Sequence, residues 1–97
     1  MWGIIVITIS TKDAKRIYNG IAKNDYTGWQ EYAYNRAVIY PIGRETYIEH
    51  RKDMNYCSIR GPEYGYKGEP IKSVEYSDIS RLLLITLESK RIWFEIM

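Results

Sequence analysis

Ninety-seven residues make one domain and one hydrophobic core, since cores divide only in much longer chains. With 45% apolar and 27% charged residues the composition is that of a folded globular chain, which excludes disorder. A formal net charge of +2 is too small to imply a polyanionic partner. A single cysteine, Cys57, excludes an intramolecular disulfide and a zinc knuckle and fits a reducing compartment.

The chain opens on Ile4-Ile5-Val6-Ile7-Thr8-Ile9. Branched residues on both faces predict an interior strand covered on two sides. The apolar run 2–9 lacks the basic flank of a secretion signal. It is also far shorter than the roughly 20 residues of a membrane span, as is the run 82–87, so the expected location is the cytoplasm. Ser10 and Thr11 are candidate N-caps, with Asp13 placed where a carboxylate suits the helix dipole. Ala14, Ile17, Tyr18, Ile21 and Ala22 then recur at helical spacing and form one apolar stripe. Strand followed by amphipathic helix is the clearest local signal.

Residues 24–28 read as a loop. The stretch after it carries two patterns. Trp29, Tyr32, Ala33, Arg36 and Ala37 would line a short helix, whereas Tyr32, Tyr34, Arg36, Val38 and Tyr40 alternate along one face of a strand. Aromatic and β-branched enrichment favours a strand over 32–42. Gly43-Arg44 is expected as a tight turn into a strand over 46–51, followed by a polar break and a strand over 56–60. The Gly- and Pro-rich stretch 61–70 reads as a loop, and 71–78 as a strand. Residues 81–87 and 91–96 flank Glu88-Ser89-Lys90 as a hairpin. The fold class expected is α+β: one domain over 1–97, a mainly antiparallel sheet of five to seven short strands, and one N-terminal helix packed on it.

Catalytic chemistry finds little support. His50 and Cys57 are the only residues of their kinds. Seven positions apart in an extended strand they would point to opposite faces, unless a hairpin between them restores the pairing. The expected roles are a small core residue for Cys57 and a strand-surface residue for His50. No phosphate-loop or dinucleotide motif is present. Metal-ligand spacing is absent too, so neither cofactor nor metal is expected. His50-Arg51-Lys52 with Tyr56 and Arg60 would suit a ribonuclease-like toxin, with His50 as general acid or base. Carboxylates at 45, 49, 53 and 63 interrupt that basic cluster and weigh against an RNA substrate.

Eight of the ten tyrosines lie between residues 25 and 67, more aromatic area than one sheet face of so small a core absorbs. Tyrosine and arginine dominate binding hot spots because they bury large areas with few rotors and keep polar tips. Tyr32, Tyr34, Arg36, Tyr40, Tyr64, Tyr66 and Lys67 are therefore the expected partner-binding set, and catalytic residues are not expected. In size and tyrosine richness the chain resembles the accessory and inhibitor proteins of bacteriophages and other mobile elements, including anti-CRISPR and anti-restriction proteins. That resemblance implies a protein target. The alternative is a single-stranded nucleic-acid-binding module, since aromatic residues interleaved with arginines and lysines make stacking platforms. Apolar edge strands leave a homodimer open.

Overall fold

The computed structural model describes residues 3–31, 36–65 and 67–97. Its first strand, β1 (Gly3–Ile9), runs directly into the helix α1 (Thr11–Lys23). Ser10 caps the helix: its Oγ accepts the Asp13 N–H at 3.1 Å, satisfying one of the donors a helix start leaves open. Asn24 ends it in the left-handed conformation (φ 55°), its N–H returning to the Asn19 carbonyl. Ala14, Ile17 and Ile21 of the predicted stripe are buried; Tyr18 is half-buried and Ala22 exposed.

Eight further strands follow: β2 (Gln30–Glu31), β3 (Ala37–Gly43), β4 (Thr46–Arg51), β5 (Tyr56–Gly61), β6 (Tyr64–Gly65), β7 (Glu69–Ser77), β8 (Leu82–Leu87) and β9 (Lys90–Ile96). The described residues thus hold nine strands where five to seven were expected. The surplus comes from two-residue strands. β2 pairs with Val38 and Ile39, and β6 closes a tight hairpin on β5 inside the segment read as loop. Pairs this short carry no periodicity for a sequence pattern to reveal. The hairpin β8–β9 stands where its alternation placed it. The β3–β4 turn falls one residue later than expected: Gly43 still pairs with Thr46, and Arg44-Glu45 make the turn with Glu45 at φ 58°.

The strand order is β1-β9-β8-β7-β5-β4-β3-β2, with β6 beside β5. Among the described residues all pairings are antiparallel except β1 with β9. β1 is therefore an edge strand, not the interior strand its sequence predicts. Ile5 and Ile9 face the core, while Ile4 and Val6 on the other face remain 60% and 53% exposed. Composition marks a strand as apolar on both faces; it does not say whether the chain itself supplies both covers.

One core serves both halves of the sheet. Leu83, Ile85 and Leu87 of β8 and Ile92, Phe94 and Ile96 of β9 meet Ala14, Ile17 and Ile21 of the helix. The same cluster continues through Trp29 to Val38, Tyr40, Ile48, Cys57 and Ile59. Each buried Leu, Ile, Val or Phe side chain contributes roughly 1.5–3 kcal/mol by leaving water. Between β5 and β7 the sheet narrows to two residue pairs, Tyr56 with Pro70 and Cys57 with Glu69. Glu69 secures this waist. Its carboxylate accepts the Ser89 N–H and the Ser89 hydroxyl at 2.6 Å each and forms an ion pair with Lys90. Burial alone would raise its pKa, but these donors outweigh burial and hold it at about 2 against an ordinary 4.5.

Two expected outcomes follow from this packing. Gly20 lies against the Trp29 indole, and a methyl group there would come within 2.6 Å of ring atoms. Gly20→Ala, which at an open mid-helix position stabilises by up to about 1 kcal/mol, is expected here to cost about 1–3 kcal/mol in urea unfolding; an unchanged midpoint would refute this packing. Because the folded pKa of Glu69 lies below the unfolded one, its contribution is complete above pH 4.5 and lost as pH falls toward 2. Glu69→Gln should therefore be less stable than the parent at pH 7, with the gap closing between pH 4.5 and 2. A gap constant across that range would contradict the clamp.

Candidate functional site

The two faces of β3, β4 and β5 have different chemistry, and cross-strand register determines which residues share each. Val38, His50 and Cys57 form one row; Tyr40, Ile48 and Ile59 form the next. All six are buried on the inner face. Ala37, Arg51 and Tyr56 form a row of the opposite face, as do Ile39, Glu49 and Ser58, and Pro41, Tyr47 and Arg60.

On the inner face the aromatic rings are structural. Trp29 packs edge-on against Tyr40 (5.5 Å between centroids) and Tyr26 (6.0 Å) and lies beside His50. Their polar ends are partnered. The Trp29 indole N–H donates to the Arg16 carbonyl at 2.9 Å, and the Tyr40 hydroxyl donates to Asp13 at 2.6 Å. Burial, followed by that contact with Asp13, pushes the Tyr40 phenol up.

His50 and Cys57 are direct register partners, so the hairpin between them does restore a shared face. It does not make a catalytic pair. The Tyr56 carbonyl can only accept, so the His50 Nδ1 beside it at 3.0 Å carries the proton and donates. Desolvation lowers the imidazole pKa and, with Glu49 adding to it, raises the thiol to about 12. Both groups are neutral and 1% exposed. His50 is thus a core residue, not the strand-surface residue its sequence suggests, because the row it occupies is the one the aromatic cluster covers.

The outer face carries a cleft of about 230 Å³. β4 contributes Glu49 and Arg51, β5 contributes Tyr56, Ser58 and Arg60, and Met54 closes the turn between them. Lys67 and Gly68, on the segment leading into β7, form the remaining wall. A Cβ at residue 68 would lie 3.6 Å from the Tyr56 ring, so the missing side chain widens this wall. Glu49 accepts from the Arg60 Nε at 3.3 Å and the Ser58 hydroxyl at 3.5 Å, and Arg51 pairs with Asp53 at 3.3 Å. The lining therefore holds three cations, Arg51, Arg60 and Lys67, and one carboxylate, Glu49. Among the described residues, the Arg51 Nε is the buried side-chain polar atom without a hydrogen-bond partner.

Of the residues expected to bind a partner, Lys67 lies at this cleft. Tyr64, on β6, is half-buried and packs against the core. Arg36 is exposed but sits just before β3 at φ 50°, off the row of alternating residues to which it was assigned. Tyr40 is only 4% exposed, so its ring offers no surface. Val38 and Tyr40 do share a face, but it is the inner one, covered by Trp29 and tied to the first turn of the helix through Asp13. Tyr32, Tyr34 and Tyr66 lie outside the described residues. Glu49, Ser58, Met54 and Gly68 were not anticipated. Of these, Glu49 and Ser58 follow once a four-residue turn over 52–55 is assumed, since that turn sets Arg51 opposite Tyr56 and brings the polar rows together.

Among the described residues, no cluster of His, Cys, Asp and Glu could hold a metal ion, and no helix is long and apolar enough to cross a membrane. In the native state Cys57 should react with a disulfide reagent at pH 8 at least ~100-fold more slowly than in urea, because the thiolate is scarce and covered. Equal rates would mean that the inner row is open to solvent. Comparison of the chain with protein-family models, with characterised proteins and with solved structures gives no match.

Proposed function

We propose that this is a small non-enzymatic binding protein that holds an acidic segment of a protein partner in the cleft over β4 and β5. The observation that carries the reading is the Arg51 guanidinium at the cleft: its side chain is 40% exposed and held by Asp53, so a partner carboxylate entering the cleft would meet a charged, oriented donor group. Arg60 and Lys67 add positive charge around it, while Tyr56 and Met54 offer the aromatic and adaptable apolar contacts typical of binding hot spots. Glu49, clasped by Ser58 and Arg60, keeps the Arg60 guanidinium oriented. His50, the general acid or base a ribonuclease-like toxin would need, faces away from this cleft and is neutral, which favours binding over catalysis. An inhibitor of a host protein complex, of the kind phages and mobile elements encode, is the biological role that matches such a domain.

The test is affinity co-purification from lysate with the parent and with a Lys67→Glu, Arg51→Glu variant whose circular dichroism matches the parent. A partner retained by the parent at 150 mM salt and weakened at least about tenfold by the variant supports the proposal. Retention of the same partner by both would sink it. Binding of a labelled DNA or RNA single strand, with affinity falling steeply as salt rises, would replace the protein partner by nucleic acid.

A further inference from the structure

The two edges of the sheet are built differently. At one end β2 is two residues long, both exposed, with Glu31 paired to Lys52; shortness and charge are the usual ways of blocking strand addition. At the other end β1 is seven residues long, Gly-Ile-Ile-Val-Ile-Thr-Ile, without a charge or proline. The helix packs over β7 and β9.

The direction of the backbone groups on β1 follows from its ladder. The Gly3 N–H donates to the Ser89 carbonyl, and the Ile9 carbonyl accepts from the Met97 N–H. Gly3, Ile5, Ile7 and Ile9 therefore bond to β9, and the N–H and C=O of Ile4, Val6 and Thr8 point to the open side. We infer that this edge pairs with the β1 edge of a second copy, antiparallel about a two-fold axis at Val6.

In that register every outward residue meets an outward residue. Val6 faces the second copy's Val6, and Ile4 faces the second copy's Thr8, so three hydrogen-bonded pairs form with both partners' groups satisfied. On the inner face Ile5 falls opposite the second copy's Ile7, extending the core across the axis. On the outer face Val6 lies beside Trp93, and Trp93 beside Leu84. Val6, at 53% exposed, and Trp93, at 37%, continue there into the second copy's Val6 and Trp93. The charges also agree. Arg91 is level with Ile4 and Glu95 with Thr8, so each of the two rows flanking the axis carries Arg91 of one copy and Glu95 of the other, and like charges do not share a row.

The size of the contact sets its strength. A seven-residue edge is about 23 Å long, and the strip it buries falls below the ~800 Å² per side of a standard interface. The dimer belongs to the weak class, with a Kd of roughly 10–100 μM.

Sedimentation velocity from about 5 to 500 μM, together with amide hydrogen exchange at the upper concentration, tests the inference. The expected result is concentration-dependent dimerisation with slowed exchange at Ile4, Val6 and Thr8. Val6→Pro removes an outward N–H and no bond to β9, so it should weaken the dimer about 30-fold. Thr8→Lys, which places a charge at the edge without touching the backbone, should do the same and serves if the proline variant fails to fold. A chain that stays monomeric at 500 μM would overturn the inference. So would a dimer that both edge variants leave intact, or one abolished by Trp93→Glu with those three amides still exchanging freely.

Discussion

Among the described residues one helix has to serve as the interior for nine strands, and the rest of the architecture answers to that constraint. α1 is 13 residues long, about 20 Å, with a diameter near 10 Å. Eight strands side by side span roughly 34 Å at ordinary spacing. A flat sheet of that width would leave most of one face in water. Instead both halves contribute to a single core around the helix, which requires the sheet to wrap. The two-pair waist between β5 and β7 is where a wrap costs the fewest ladder bonds. Glu69 stands at that waist with three donors on its carboxylate, tying the start of β7 to the β8–β9 turn.

Wrapping leaves space where the helix does not reach, and the fillers are aromatic. Trp29 occupies the gap between α1 and β3–β4, close enough that position 20 of the helix has room only for glycine. Tyr40 and His50 flank it. Rings of this size bring polar atoms into the interior, and each needs a partner there. Asp13 and the Arg16 carbonyl, both on the helix, provide two, and the Tyr56 carbonyl provides the third. The residues that look most chemical in the sequence, a lone histidine beside a lone cysteine, are consumed in this way. Burial keeps the thiol from ionising and so withholds the thiolate a catalytic pair would need.

Local order was legible in the sequence because it is written in periodicity and caps. The helical stripe from Ala14 to Ile21, the Ser10 cap, and the alternation of Ile92, Phe94 and Ile96 each report a local preference that packing did not override. Sidedness was not legible. Alternation places Val38 and Tyr40 on one face but cannot say which face turns inward, and the answer came from a residue outside the strand, Trp29. The edge position of β1 was hidden for the same reason: pairing with β9 joins the two ends of the sequence, a contact no short-range pattern encodes. The cleft lay in between. Its basic and aromatic members were visible as residue types, while their assembly on one face depended on the register of the β4–β5 hairpin.

The two halves of the sheet differ in what they do with their outer faces. Around β4 and β5 the outer rows are charged, internally paired and hollowed into a cleft. Around β1, β9 and β8 the central outer row runs through Val6, Trp93 and Leu84, with the exposed Ile4 beside it on β1. An uncovered apolar row of this kind marks an association surface more often than an accident of packing. Sheet order puts β9, β8 and β7 between the β1 edge and β5. Pairing at that edge would therefore leave both clefts open, each at the far side of its own sheet. A dimer held so weakly contributes little to a single binding event. It contributes much more when the target presents two copies of the same acidic segment, because the second cleft then binds at the effective concentration set by the first. The same geometry makes the strength of capture depend on target symmetry, so a target with a single segment would be held only as tightly as one cleft allows.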